Sequence, residues 1–168
     1  MKIGVLSDTH NNRSNLQWAV GVLHSENITT IIHCGDLILP DMLALLKNFQ
    51  IIFLFGNGDT ETAPIRTYLS GLHPDNSCSY VFTGSLGGVS ISATHGHLPG
   101  KVDELSRSGD YRFVFHGHSH RRKDELNAST RVVNPGALGG LKPQERSFCI
   151  ADLESQTVEF KLMHQAVR

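Results

Sequence analysis

The sequence predicts an α/β protein in which two sheets pack together with helices outside. Three observations carry that prediction. In the first half of the 168-residue chain, near-continuous apolar runs alternate with segments of helical periodicity, the signature of parallel strands covered on both faces. In the second half, short strand-like runs follow one another, several separated by turns rich in Gly and Pro. Five short motifs of Asp, His and Asn each stand at the end of an apolar run. The length fits one domain, residues 1–168, and suffices to bury a substantial core.

Taken in order, the chain opens on a predicted strand from Ile3 to Ser7. Ser14 or Asn15 then caps a helix whose apolar face is Leu16, Val20 and Leu23, spaced i, i+4, i+7. A second strand runs from Thr29 to Cys34, where Ile28, Ile31 and Ile32 are β-branched and nearly contiguous. Pro40 suits the first turn of the next helix, which lines up Met42, Leu45, Leu46 and Phe49. A third strand covers Ile51 to Phe55. Residues 60 to 78 have the weakest pattern and are expected to form a variable loop or helix. Further strands are predicted at Ser79 to Phe82, Val89 to Thr94, Phe113 to His116, Lys123 to Leu126, Arg131 to Asn134, Ser147 to Asp152 and Thr157 to Leu162. A short helix carrying Val102 and Leu105 follows His97. No internal repeat, low-complexity stretch or interdomain linker is visible.

Fifteen basic and sixteen acidic residues nearly cancel, so no basic stripe marks the chain for wholesale binding to a nucleic-acid backbone. Cys34, Cys78 and Cys149 are odd in number, widely spaced and without a C-x-x-C, which argues against a disulfide framework and a zinc knuckle. A reducing compartment fits. The opening run Lys2-Ile3-Gly4-Val5-Leu6 is too short for a signal peptide and no A-x-A pattern follows. No run approaches the ~18 apolar residues of a membrane helix. A soluble cytoplasmic protein is expected, with no membrane partner.

The five motifs are Asp8-Thr9-His10, Gly35-Asp36, Gly56-Asn57, His95-Gly96-His97 and Gly117-His118-Ser119-His120. Imidazole nitrogen, carboxylate and amide oxygen are ligands of borderline and hard divalent metals. Each motif follows a predicted strand, and the C-terminal edge of an α/β sheet is where ligands bind. Taken singly, Gly-Asp after a strand is an ordinary turn, and Asp-x-His arises by chance. Five such motifs, each at a strand end, describe one site. Asp8, His10, Asp36, Asn57, His95, His118 and His120 exceed what one metal needs. They suit two metals sharing a bridging carboxylate, an arrangement for phosphoryl hydrolysis. Glycine before Asp36, Asn57 and His118 permits a tight or positive-φ turn that aims a ligand inward.

Ten histidines are many for this length, and a shared site explains part of the excess. His24, His73 and His164 are assigned to the surface. His33 and His116 lie inside strands beside ligand-bearing turns and are assigned to packing or to orienting a ligand. His97 admits three roles: ligand, orienting group or substrate contact. The last two are preferred, because seven other residues already satisfy two metals.

The pattern D-x-H, G-D, G-N, H and G-H-x-H, with Asn134-Pro135-Gly136 matching a further N-P-G element, resembles the calcineurin-like metallophosphoesterases. The closest likeness is to their small YfcE-type bacterial and archaeal phosphodiesterases. It runs from residue 3 to beyond 136. The resemblance implies a four-layer α/β/β/α sandwich, two mixed sheets flanked by helices, with a dinuclear centre. It implies that Asp8, His10 and His120 bind the first divalent ion, that Asn57, His95 and His118 bind the second, and that Asp36 bridges them. Manganese is the usual occupant in small members, with iron, zinc or nickel as alternatives. Affinity order disfavours manganese, so availability decides. In phosphoprotein phosphatases of this superfamily the asparagine is followed by a histidine that protonates the leaving group, then by an acidic residue. Gly58 and Asp59 stand at those positions here. That acid is missing, and another group, His97 or water, has to supply the proton.

The expected reaction is hydrolysis of small phosphodiesters by in-line attack of a metal-bridging hydroxide, with Asn57 and His118 stabilising charge on the phosphoryl oxygens. Two alternatives stand beside it. A phosphomonoesterase is disfavoured by Gly58 and by the small size, which leaves little room for a recognition cap. A non-catalytic protein-binding scaffold of the same fold, like a retromer subunit that has lost part of its metal set, is disfavoured by the complete ligand set. The expected partner is a small phosphodiester, not nucleic acid, and the resemblance makes a homodimer an expectation. Cyclic nucleotides, nucleotide diesters and glycerophosphodiesters all fit.

Overall fold

The structure, a computed structural model, describes residues 1–141 and 144–163. His164 lies outside them. The β-branched and aromatic runs form strands, as residues of that shape pack well on a pleated surface. Along the chain lie β1 (Lys2–Leu6), α1 (Arg13–Ser25), β2 (Thr30–His33), a 3₁₀ helix (Pro40–Leu46), β3 (Gln50–Leu54), α2 (Thr62–Leu72) and β4 (Ser77–Ser79). Then follow β5 (Val81–Leu86), β6 (Val89–Thr94), α3 (Lys101–Arg107), β7 (Phe113–Phe115), β8 (Lys123–Asn127), β9 (Thr130–Asn134), β10 (Arg146–Asp152) and β11 (Thr157–Met163).

Two mixed sheets result. One has the order β11-β10-β1-β2-β3-β4, the other β5-β6-β7-β9-β8. The parallel strands β1 to β3 are the continuous apolar runs, and their alternation divides two cores. Ile3, Val5, Ile32, Cys34, Ile52 and Leu54 face the second sheet, meeting Ile91, Ala93, Phe113, Phe115 and Val133. Leu6, Ile31, Ile51 and Phe53 face the other way, toward Leu16, Ala19 and Leu23 of α1, Met42, Leu43 and Leu46 of the 3₁₀ helix, and Ile65 and Leu69 of α2. With α3 lying against β6, β7 and β9, the layers run helices, sheet, sheet, helix. This is the four-layer arrangement expected. Among the described residues no helix is long and apolar enough to cross a membrane.

Register brings the strand ends together. Leu6 pairs with His33 and His33 with Phe53 in one sheet, and Ala93 with Phe115 and Phe115 with Val133 in the other. The turns that follow these strands therefore share one edge.

Some local expectations change. Asn12, not Ser14 or Asn15, caps α1, its Oδ1 accepting the Asn15 N–H at 3.1 Å. The segment after Pro40 winds as a 3₁₀ helix that buries Met42, Leu43 and Leu46. Residues 60 to 78 hold α2 and the start of β4. The single strand expected over Ser79 to Phe82 is broken at Tyr80: Ser79 pairs with Leu54 in the first sheet and Val81 with Thr94 in the second.

Candidate metal centre

The site is built from turns whose backbone is unusual. Asp8, His10, Asp36, His118 and His120 all have positive φ, between 45° and 66°. Asp, Asn and His accept that region better than other residues with a Cβ. Backbone bonds stitch the turns together: Asp8 N–H to Gly35 O at 2.9 Å, His10 N–H to Asp36 O at 2.9 Å, and Gly117 N–H to His95 O at 2.9 Å. Gly35 has φ 93°, and a Cβ there would stand 2.8 Å from His95 Nδ1. Gly56 and Gly117 are needed for space instead. A Cβ on Gly56 would run into the Asp36 carboxylate, and one on Gly117 into the Ser7 hydroxyl.

Each carboxylate has one oxygen fixed and one free. Asp8 Oδ2 accepts from the Ser7 hydroxyl at 2.5 Å and from the His118 N–H at 3.0 Å. Asp8 Oδ1 faces His120, His10 and His95 Nε2 at 3.2, 3.8 and 3.9 Å. Asp36 Oδ1 accepts the Gly58 N–H at 2.7 Å. Asp36 Oδ2 stands between His10 and His95, 3.7 and 3.5 Å from their Nε2 atoms. Burial alone would raise the Asp8 carboxyl, but the His120 ring, His95 and the Ser7 hydroxyl together hold it below its ordinary value.

These separations suit metal ligands. Two triads, Asp8/His10/His120 and Asp8/Asp36/His95, each keep their ligand atoms within 4.8 Å of one another, the spacing expected around an ion with bonds of about 2.0–2.2 Å. Asp8 Oδ1 and His95 Nε2 are buried without a hydrogen-bond partner among the described residues. Buried polar atoms are nearly always bonded, and a cation would satisfy both. The tautomer fits as well. His95 Nδ1 donates to Cys34 O at 2.6 Å, which leaves the Nε2 lone pair aimed at the carboxylates.

The structure thus brings Asp8, His10, Asp36, His95 and His120 together by their ligand atoms. The His118 ring lies beside them, its centroid 5.1 Å from that of His95. Asn57 sits exposed on the turn between Gly56 and Gly58. His97 is half-buried, its ring 5.4 Å from His95 and 6.4 Å from His118. Burial, then the two neighbouring histidines, hold its pKa below the ordinary value. His24 and His73 are exposed, as expected.

Supporting residues surround the centre. His33 is fully buried. Its Nδ1 accepts the Gly35 N–H at 3.3 Å, so Nε2–H donates to Thr9 Oγ1 at 2.9 Å, between the two residues of the Asp-x-His motif. Burial pushes its pKa down to about 4. Asn134 explains the N-P-G element: its Nδ2 donates to Gly117 O at 2.7 Å and its Oδ1 accepts the Gly136 N–H at 2.9 Å, bracing the Gly-His-Ser-His turn. His116 lies against the same turn. The residue that sequence reasoning missed is Asp59. It is buried and accepts the N–H groups of Asp36, Ile38 and Gly56, each at 2.8 Å, so one carboxylate organises two ligand turns.

A hydrolytic metal centre at the shared edge of two sheets defines a class, and the chain belongs to it. The calcineurin-like phosphoesterase superfamily domain matches residues 1–156. The protein is a hydrolase of phosphoric esters, of a family that uses divalent metal ions. It is 31% identical over 161 residues to phosphodiesterase MJ0936 of Methanocaldococcus jannaschii, covering 93% of this chain and 95% of that one. The structure of an archaeal phosphodiesterase superposes with a TM-score of 0.92 at 29% identity, over 97% of this chain and 100% of the other. YfcE, a phosphoesterase from E. coli, shares the fold with a TM-score of 0.69 at 16% identity, over 98% of this chain and 100% of its own.

Proposed function

We propose that the whole chain, residues 1–168, acts as one domain that hydrolyses small phosphodiesters at a dinuclear metal centre. The observation that carries this reading is the convergence of Asp8, Asp36, His10, His95 and His120 on two buried atoms without partners. The similarity to a protein named as a phosphodiesterase supports the choice of diesters.

Asp8, His10 and His120 would hold one ion. His95, His118 and Asn57 would hold the other, with Asp36 Oδ2, poised between His10 and His95, as the bridge. Two divalent ions there would supply hydroxide near neutral pH and polarise the phosphoryl oxygens. Manganese is the ion this reading favours. Asn57, exposed at the rim, and His118 would meet the charge that develops on those oxygens. His97 contacts the ester. Its lowered pKa keeps the ring neutral at pH 7, so it offers an N–H rather than the proton of an imidazolium. Position 58 carries a glycine rather than a histidine, and a Cβ there would stand 2.5 Å from Ile38 Cδ1 and 3.0 Å from Asp36 Oδ1, so a side chain would have to push the end of Ile38 aside. Esters with good leaving groups are the substrates such a site handles best. Three free cysteines, two of them buried, accord with a reducing, cytoplasmic setting.

The test is turnover of bis-p-nitrophenyl phosphate and p-nitrophenyl phosphate by metal-stripped protein, with and without added manganese. Metal-dependent hydrolysis favouring the diester is expected. Preference for the monoester would replace diesterase by monoesterase. No turnover with any divalent metal would overturn the catalytic assignment.

A further inference from the structure

We propose that the site continues into a groove on its His10 and His120 side, where Arg13 and Arg121 hold a second anionic group of the substrate. This rests on the phosphodiesterase reading above and narrows it to diesters that carry a further phosphate, as a nucleotide with a second phosphorylated hydroxyl does.

The groove has a volume of about 1160 Å³, and His10, His118 and His120 form part of its wall. Pockets for whole drug-sized ligands run about 300–1,000 Å³, so a scissile phosphodiester fills only one end. The remainder is a shaped wall. Asn15 Nδ2 donates to Leu138 O at 2.5 Å, Arg146 donates to the carbonyls of Gly139 and Gly140, and Gly139 packs on the Thr9 carbonyl with no room for a Cβ. Ile38 and Leu141 give the groove apolar surface against which a sugar or base can lie.

Charge is distributed unevenly among the arginines of this part of the molecule. Arg122, next along the chain from Arg121, is neutralised by Glu145 at 2.6 Å. Arg13 and Arg121 both line the groove and are exposed. Among the described residues neither guanidinium has an ion-pair or hydrogen-bond partner, and no acidic residue lines the groove. Two unpaired guanidinium forks in a groove without carboxylates favour a ligand with more than one negative charge, and the planar fork matches phosphate geometry. The scissile phosphate meets the metal ligands that form part of the wall, and the second phosphate meets the arginines.

The experiment compares kcat/KM of the metal-loaded enzyme for thymidine 5′-(p-nitrophenyl phosphate) with and without a 3′-phosphate, at low ionic strength. The leaving group is the same in both. The 3′-phosphorylated substrate should be preferred roughly tenfold, chiefly through KM. In the double variant Arg13→Ala/Arg121→Ala the ratio should collapse toward one, and in Arg13→Glu/Arg121→Glu it should invert. Arg122→Ala should leave the ratio in place. Equal kcat/KM for the two substrates in the parent enzyme, or a ratio that survives the double alanine variant, overturns the proposal while diester hydrolysis stands. Loss is traced to the underlying reading instead if neither substrate, nor bis-p-nitrophenyl phosphate, is hydrolysed at all.

Discussion

At one end of the centre the side chains of His10 and His120 reach in from the surface, 28% and 20% exposed, whereas at the other His95 is wholly buried. The exposed pair is carried on left-handed turns, with His10 and His120 Nε2 3.2 Å apart. The buried ring is aimed by the scaffold, through its bond to Cys34 O and its place at the end of β6. Loss of a ligand should therefore mean different things at the two ends: a lost ion at one, a lost ion and a damaged core at the other.

Asp36→Ala cuts across both ends. It should reduce bound metal from two ions per chain to none and lower turnover at least about a thousandfold. Metal analysis after gel filtration checks this, and retention of both ions with full turnover would sink the dinuclear assignment. The contrast itself is read from His95→Ala and His10→Ala in metal-free protein, by urea unfolding. The buried truncation should cost about 2–4 kcal/mol through its cavity and the lost bond to the Cys34 carbonyl, and the exposed one no more than about 0.5 kcal/mol. Equal costs would erase the distinction.

Asp59→Asn sharpens the comparison by disturbing turns rather than ligands. It sets an NH₂ group against the Ile38 N–H while the amide oxygen keeps the Asp36 and Gly56 N–H groups, and should cost about 1–3 kcal/mol with a roughly 10–100-fold fall in activity. Activity recovered by excess manganese would place the loss in metal affinity. An unchanged melting temperature would remove Asp59 from this role.

The remaining effect is that of pH. His33 titrates near 4 in the fold, against 6.5 ordinarily, so the unfolded chain binds more protons between those values. The stability due to its neutral ring is full above pH 6.5 and declines as pH falls toward 4. His33→Gln keeps a donor to Thr9 and should show a shallower loss of urea midpoint from pH 7.5 to pH 5. A slope identical to the parent's would assign the acid sensitivity elsewhere.

The edge on which the site sits could be read from the chain because each motif ends a strand-like run, and parallel strands carry their ends to one side. β6 matched its expected bounds, Val89 to Thr94, where Val, Ile and Ala alternate with Ser and Thr as the strand period requires. The break at Tyr80 could not be read. The run from Ser79 to Phe82 looks like one strand, and only tertiary pairing sends its halves to different sheets. The 3₁₀ helix left a fainter mark, as Pro40, Leu43 and Leu46 recur every third residue. The α1 cap was ambiguous among neighbouring polar residues. Asn11 is engaged elsewhere, accepting the Leu39 N–H, which leaves the cap to Asn12. Asp59 had a local signal, a carboxylate three residues after a glycine whose N–H it accepts, but its bonds to Asp36 and Ile38 come from another turn.

The left-handed turns have a consequence for how this chain and its relatives are compared. Aspartate and histidine are among the few side chains that accept such a backbone readily, and they are also what a divalent ion requires. At positions 8, 10, 36, 118 and 120 both demands select the same small alphabet. A descendant that abandoned hydrolysis would still be steered toward those letters by the geometry of its own loops. Identity at these five sites is thus a double record, of chemistry and of backbone shape, and substitution at Asn57, exposed and without a positive φ, is the purer trace of lost catalysis.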